Sequence, residues 1–255
     1  METTEKNITR PIPNAKEALR ALLRADWSIQ WRNRRAMLMS IFVPVIFIIS
    51  WKSLVPVVGG AAVLSICIAI GLPAIGLMGY SGSVARDRER GVFQRLRAAP
   101  IPTWSIMTSR ILVQIGVMAF MTLCTILVGY FNDGIHINLP EGLLIVIFSA
   151  IAGLSFLGLG QLVVGLIRSS EAVNAAARLV YFPVAVVGAI AEIGVFGDIL
   201  KMIVDWSPLG TTKTLIAAAA TLSFDSSVWL ALFLTLAYGV VFAAIGIKKF
   251  DWSVN

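Results

Sequence analysis

The charged segment that interrupts the apolar chain reads Tyr80-Ser-Gly-Ser-Val-Ala-Arg-Asp-Arg-Glu-Arg-Gly-Val-Phe-Gln-Arg-Leu-Arg-Ala-Ala-Pro100-Ile-Pro-Thr-Trp-Ser105. If its centre forms a helix, apolar side chains share one face and polar side chains another. The apolar face holds Val92, Phe93, Leu96 and Ala99, and the polar face holds Arg90, Gln94 and Arg97. Pro100 and Pro102 end such a helix. The segment is either an amphipathic helix that receives a partner or a plain basic loop that only fixes topology.

Composition places the chain in a membrane. Apolar residues make up 58% and charged residues 14%, whereas soluble proteins average about 45–50% and 25%. The 255 residues have room for about six spans of roughly 20 residues, with no space for a large soluble catalytic domain. The net charge of +7 comes from basic residues that flank apolar runs, so we expect no nucleic-acid partner.

Six apolar runs are long enough to cross a bilayer, which predicts an all-α polytopic membrane protein with six transmembrane helices. The predicted spans cover residues 36–54, 57–80, 106–130, 142–167, 172–196 and 228–247. The six-helix domain therefore covers 36–255, with the charged segment as its 80–105 loop. Cys67 and Cys124 lie inside these runs, so no disulfide framework or paired-cysteine metal site is expected. Because the first run begins near Ala36, a cleavable signal peptide is not expected either.

Residues 1–35 form a polar tail and a basic amphipathic segment. Asn14 and Glu17 have the spacing of a capping box. Leucines and the tryptophans Trp27 and Trp31 then recur at helical spacing among lysines and arginines. Such a helix suits the membrane surface. The alternative is an ordinary packed helix of a soluble segment.

Lysine and arginine counts predict the orientation. The segments that would share a side with both termini hold 18 of these residues, and the opposite side holds only Lys52, Lys201 and Lys213. By the positive-inside rule, both termini and the 80–105 loop are cytoplasmic.

The outer connection 197–227 is too apolar for a free loop. Its two apolar stretches flank Trp206, Ser207 and Pro208, and each stretch is too short to span. The pattern predicts a re-entrant pair of helices in the outer leaflet. A packed extracellular loop is the alternative.

The Arg-Asp-Arg-Glu-Arg-Gly run from Arg86 to Gly91, the amphipathic turn after it, and Ala99-Pro100 before the next span resemble the first cytoplasmic loop of ABC-2 type transporter permeases. The family often has Thr where this chain has Val92, and commonly has Asn-Pro where this chain has Ser207-Pro208. The resemblance implies an interfacial connecting helix, an outer re-entrant hairpin, and a coupling helix that sits on an ATP-binding cassette subunit.

The coupling residues implied by this resemblance share one loop. They are Arg86, Asp87, Arg88, Glu89, Arg90, Gly91, Val92, Phe93, Leu96, Ala99 and Pro100. A docking contact concentrates its energy in a buried aromatic anchor, so Phe93 of the 89–99 helix is the predicted anchor.

Other motifs do not support catalysis. Gly210-Thr-Thr-Lys-Thr214 lacks the first glycine of a phosphate-binding loop and falls on the outer side. His136 is the only histidine, too few for a metal site of ordinary composition. No nucleophile has a plausible basic partner within a span. We therefore predict no catalytic residue, no metal and no bound cofactor.

Four polar residues within the spans remain candidates for function. Glu192 lies about 21 Å along a helix beyond Arg178, and is either an interfacial carboxylate or part of an outer gate that attracts cationic substrate. Gln114, Gln161 and Asn174 are candidates to face the bundle interior.

These observations predict the permease subunit of an ATP-driven ABC exporter in the cell inner or plasma membrane. It would work as a pair, with itself or a related paralogue, and with cassette subunits that bind ATP and Mg²⁺. By resemblance to the drug-efflux branch, the cargo would be amphipathic drugs, antibiotics or lipid-like compounds, as in multidrug export and antibiotic resistance. The alternatives are a non-transporting scaffold or regulatory subunit that recruits a cytosolic protein through the basic loop, and an intramembrane enzyme.

Overall fold

The computed structural model describes residues 14–98, 101–192 and 197–250, and these ranges contain helices and no strand. The helices are α1 (Ala15–Arg32), α2 (Arg34–Ser50), α3 (Val55–Val58), α4 (Gly60–Pro73), α5 (Ser81–Glu89), α6 (Val92–Ala98), α7 (Thr103–Asp133), α8 (Leu139–Leu166), α9 (Ser170–Glu192), α10 (Gly197–Trp206), α11 (Pro208–Thr221) and α12 (Ser226–Lys249). A 3₁₀ turn (Lys52–Leu54) precedes α3, and a π-helical stretch (Ala74–Tyr80) joins α4 to α5.

Five helices of the described residues are long and apolar enough to cross a membrane. They are the continuous helix Gly60–Glu89, Trp104–Asp133, Leu139–Leu166, Ser170–Ala191 and Ser226–Lys249. A sixth span results if α1 and α2, which are bent by 65° at their junction, are taken together. The predicted all-α polytopic fold is confirmed.

The centre of the bundle is α4, in which every residue from Val63 to Pro73 is buried. Pro73 lacks a backbone N–H, and its ring disturbs the preceding turn. The wider π-helical turns that follow, Ala74–Tyr80, keep the chain helical. The helix therefore does not end at Tyr80, as the sequence predicted, but continues through α5 to Glu89.

Glycines bring α8 and α12 into direct backbone contact. A Cβ on Gly158 would lie 2.7 Å from the Gly239 carbonyl oxygen, and one on Gly165 would lie 2.3 Å from that of Gly246. Both pairs advance by seven residues in the same direction along the chain, so the two helices run parallel. Since α9 follows α8 after a short turn and runs back, α12 must begin at the end of the bundle where α9 finishes.

The α10–α11 pair consequently leaves and returns to the same end of the bundle. Ser207 caps α11 by accepting a hydrogen bond from the Gly210 N–H at 3.2 Å, and Pro208 occupies the first helical turn. The Tyr238 hydroxyl donates to the Trp206 carbonyl at 2.6 Å, and Tyr238 lies near the middle of α12. The tip of this hairpin therefore contacts α12, and its re-entrant placement in the outer leaflet stays a prediction.

At the amino terminus, the predicted capping box is present between Asn14 and Glu17. Helix α1 lies against α7, where Ser109 Oγ donates to the Asp26 carboxylate. Trp27 and Trp31 remain about half exposed, at 47% and 59%. Placement of α1 at a membrane surface stays a prediction.

Candidate functional site

The charged loop forms two helices that meet at a sharp turn. Helix α5 ends at Glu89 and α6 begins at Val92. Gly91 lies between them with φ of +66°, a left-handed conformation that glycine adopts without steric cost and that ends a right-handed helix. The prediction of one continuous helix over 89–99 is therefore wrong. Ala99 and Pro100 lie outside the described residues.

Arg88 at the end of α5 is buried, with 5% of its surface exposed. Its guanidinium donates to the carbonyl oxygens of Val164 at 2.9 Å, Ile167 at 2.7 Å and Arg168 at 2.6 Å. These carbonyls belong to the last turn of α8 and the residues after it, where backbone oxygens lack helical donors. Arg88 therefore provides hydrogen-bond donors for the free carbonyl oxygens at the carboxyl end of α8, and its positive charge complements the helix dipole there.

The next residue, Glu89, binds the amino end of α9. Its carboxylate accepts hydrogen bonds from the Ser170 backbone N–H and from Ser170 Oγ, both at 2.6 Å. A negative charge at this position complements the positive end of the helix dipole. Two consecutive residues of α5 thus hold both sides of the α8–α9 turn. The term charged junction is used below for Arg88, Glu89 and the backbone groups that they bind.

A second set of contacts ties α5 and α6 to α7. Asp87 Oδ2 lies 2.7 Å from Arg110 Nη2, and the Arg110 guanidinium lies 4.7 Å from the centre of the Phe93 ring. Arg110 is buried at 9% exposure. A close ion pair and a cation–π contact therefore connect three helices at the same end of the bundle.

Phe93 is an internal residue of this chain, with 1% of its surface exposed. It packs edge-on against Phe250, after α12, with ring centres 5.8 Å apart. Val92 and Leu96 are half-buried, and Leu96 packs against the core. The sequence predicted Phe93 as an anchor for a separate subunit, whereas in this chain its ring packs against residues of the chain itself.

The exposed side of this region is polar. Arg90, Gln94, Arg95 and Ala98 are exposed, and we call these four residues the outer face of α6. Arg95 Nη2 donates to the Arg90 carbonyl at 2.8 Å, which braces the turn at Gly91. A surface with two guanidinium groups can receive an acidic partner.

A cavity of about 670 Å³ opens beside the charged junction. Helices α1, α2, α5, α7 and α9 and the π-helical stretch all contribute to its wall. Gln114 and Asn174 line it, as the sequence suggested for interior polar groups. Gln161 instead accepts a hydrogen bond from the Tyr80 hydroxyl at 2.8 Å, so it connects two packed helices.

The sequence model of the ABC-2 type transporter family matches residues 17–212, which is most of the chain. This protein belongs to the ABC-2 type transporter family. Among curated proteins, no sequence matches the chain. As a member of this family, the chain is a multi-pass transporter permease subunit. Members of the family generally partner with an ATP-binding cassette subunit.

The remaining predicted site residues of this permease lie apart from the charged junction. Trp206, Ser207 and Pro208 form the tip of the α10–α11 hairpin. Glu192 is the last residue of α9, and its side chain lies outside the description. His136 packs edge-on against Tyr130, with ring centres 5.6 Å apart. Within residues 14–98, 101–192 and 197–250, no group of three His, Cys, Asp or Glu side chains could hold a metal ion.

Sequence reasoning identified the charged motif of the permease but not what its members bind. Asp87, Arg88 and Glu89 each contact a different neighbouring helix. A signal was available in the polar turn after the fourth span, since Ser170 is a favourable residue at a helix start and such a start attracts a carboxylate. Arg110 and Phe250 carried no comparable signal.

Proposed function

We propose that this permease is the membrane subunit of an ATP-driven exporter, working as a pair with two ATP-binding cassette subunits that bind ATP and Mg²⁺. The pair consists of two copies of this chain or of this chain and a paralogue. Closure of the cassettes pushes on α5 and α6, and the spans rearrange around a central path. The cargo consists of amphipathic drugs, antibiotics or lipid-like compounds.

The charged junction is the observation that carries this proposal. A load applied to α6 reaches α5 across the Gly91 turn, and Arg88 and Glu89 pass it to α8 and α9 through five hydrogen bonds of 2.6–2.9 Å. The Asp87–Arg110 pair passes it to α7. Charge-assisted hydrogen bonds have the strength and fixed direction that such a linkage needs.

The contact with the cassette is assigned to the outer face of α6, since Phe93 is buried. Arg90 and Arg95 steer an acidic cassette surface into place, and Gln94 and Ala98 lie within the contact. Exposed charges of this kind chiefly accelerate encounter and fix the partner. The predicted orientation of the chain is consistent with this contact. The 18 basic residues on the side of this loop predict a cytoplasmic location for the loop and for both termini.

Purification from the native host in mild detergent tests this proposal. We expect an ATP-binding cassette ATPase to accompany the permease, and vesicles holding both to show ATP-dependent flux. Arg90→Glu should weaken association about tenfold or more, since it places like charges at the contact. Arg20→Glu, an equal charge change on exposed α1, is the matched control and should bind normally.

The scaffold alternative makes the opposite prediction. A non-transporting subunit would bring a cytosolic protein without ATPase activity, or would bind an ATPase and show no flux. Either result, obtained with folded wild-type protein, would contradict the exporter proposal.

A further inference from the structure

Among the described residues, the charged groups that line the cavity beside the charged junction are all cations. Arg86 of α5 and Arg178 of α9 contribute to its wall, and no Asp or Glu in the described part of the chain does. The wall also carries the amides of Gln30, Gln114 and Asn174. The cavity wall therefore offers hydrogen-bond donors and carries positive charge.

Arg178 lies inside α9, one of the candidate membrane-crossing helices, and its side chain is exposed in the single chain. It is eight residues beyond Ser170, the start of α9, which corresponds to about 12 Å along the helix. A charged side chain at that position in a span is costly, and such residues usually pair with an opposite charge or line a ligand path. The position of Arg178 therefore requires an explanation.

In the described parts of the chain, no acidic side chain pairs with Arg86 or Arg178. Within them, neither Arg86 nor Arg178 makes a side-chain ion pair or hydrogen bond, unlike Arg88 and Arg110, which are both engaged. A hydrogen bond fixes the orientation of the Asn174 side chain, because its Nδ2 donates to the Ser170 carbonyl at 2.7 Å. The two guanidinium groups remain available to a ligand as hydrogen-bond donors.

The rest of the cavity wall is apolar and comes mainly from α2 and α9. It includes Met37, Val43, Phe47, Phe182, Ala185 and Val186. An apolar chain buried against these side chains would gain roughly 0.8 kcal/mol for each methylene removed from water. A ligand that satisfies the whole cavity has an apolar chain and a negatively charged head.

We propose that this cavity binds an amphipathic anion, with a phosphate, sulfate or carboxylate head facing Arg86 and Arg178 and an apolar chain along α2 and α9. The inference rests on the proposed exporter function, because it specifies the class of cargo. Guanidinium groups bind such oxyanions through paired, directional hydrogen bonds. A cationic amphiphile would instead meet two like charges.

A second copy of the chain is a less suitable occupant of this cavity. In a two-fold contact both copies bury the same surface, so each would bring Arg86 and Arg178 into the contact, and no described acidic residue of the cavity wall could pair with them. Like charges brought together at a buried contact are unfavourable. Charge complementarity thus favours an anion in the cavity.

Binding of matched single-chain amphiphiles to the full chain tests the proposal. Purified permease in an uncharged detergent is titrated, below micelle concentrations, with dodecyl phosphate, dodecylphosphocholine or dodecyltrimethylammonium, and bound species are resolved by native mass spectrometry. We expect dodecyl phosphate to bind at least about tenfold more tightly than the other two, since only its head offers an uncompensated negative charge.

Substitutions localise that binding. Arg86→Gln and Arg178→Gln should each weaken dodecyl phosphate binding about tenfold, whereas Arg178→Lys keeps the charge and should retain most of it. Lys249→Gln removes the same charge from the exposed end of α12 and should have no effect. Melting temperatures of all variants identify any that fail to fold. If a glutamine variant fails to fold, dodecyl phosphate binding is compared between wild type, Arg178→Lys and Arg86→Lys instead.

A competition experiment distinguishes cargo from bilayer lipid as the source of the anion. The titration is repeated in nanodiscs of phosphatidylcholine with or without phosphatidic acid. Displacement of dodecyl phosphate by phosphatidic acid would identify the ligand as a lipid of the bilayer, and undiminished binding would identify a single-chain cargo. Both results support an anion site.

Three results would overturn the proposal. They are equal binding of the three amphiphiles, unchanged affinity in both folded glutamine variants, and binding to monomers with exclusion from dimers, which would show that a second copy fills the cavity. Because the titration needs neither ATP nor a cassette, its failure together with normal ATPase association would reject the anion site and leave the exporter proposal intact.

Discussion

Arg88→Met is expected to destabilise the permease by about 3 kcal/mol or more, because it removes the donor for three carbonyls at the end of α8. The contact with the Val164 oxygen is buried, and those with Ile167 and Arg168 are partly buried, so water replaces the guanidinium only in part. Thermal unfolding in detergent measures the loss. Hydrogen exchange over residues 164–172 should rise in the same variant, since the turn loses its support.

Two further variants make this result specific. Arg88→Lys keeps the charge but offers no planar fork, so it should recover only part of the stability. Arg90→Gln removes the neighbouring exposed arginine and should change stability by no more than about 0.5 kcal/mol. If Arg88→Met unfolds at the wild-type temperature with unchanged exchange, the charged junction does not support the α8–α9 turn.

Phe93→Ala should cost about 3–5 kcal/mol, the usual range for removing a buried phenylalanine ring. Its ring fills the space between Phe250 and the Arg110 guanidinium, and alanine leaves a cavity beside both groups. Phe93→Leu keeps most of the volume and should lose considerably less. The measurement is unfolding of the isolated permease, with no cassette present.

The absence of the cassette makes the Phe93 measurement decisive. If Phe93 were an exposed anchor for a cassette subunit, the isolated permease would melt normally with alanine there, and only association would suffer. A normal melting temperature together with lost association would therefore contradict the internal role described above.

The sequence predicted the elements of this fold well because membrane spans leave a direct signal. Apolar runs of about 20 residues have few alternatives to a transmembrane helix, and the capping pair Asn14 and Glu17 marked the start of α1 accurately. The second span was predicted to end at Tyr80, where the charged segment begins in the sequence. In the structure Tyr80 is buried and donates to Gln161.

The charged loop could be located but not resolved from its pattern. An amphipathic period shows that one face is buried, but not what covers it. For α6 the cover is the chain itself, through Phe250 and Arg110, which lie far away in sequence. Likewise, the sequence pattern of charged residues next to a membrane span is the same whether they are solvated or bind other parts of the chain. Here their partners are the ends of helices, which the pattern alone does not show.

The most direct test of cassette docking at the outer face of α6 is photo-crosslinking at position 94 in native membranes. Gln94 is exposed at the centre of that face, and p-benzoylphenylalanine placed there should form a crosslink to an ATP-binding cassette ATPase. The same probe at Leu222, exposed in the turn after α11, should form none. A folded, abundant permease that gives no ATPase crosslink at position 94, or gives one at position 222, would contradict the proposed coupling.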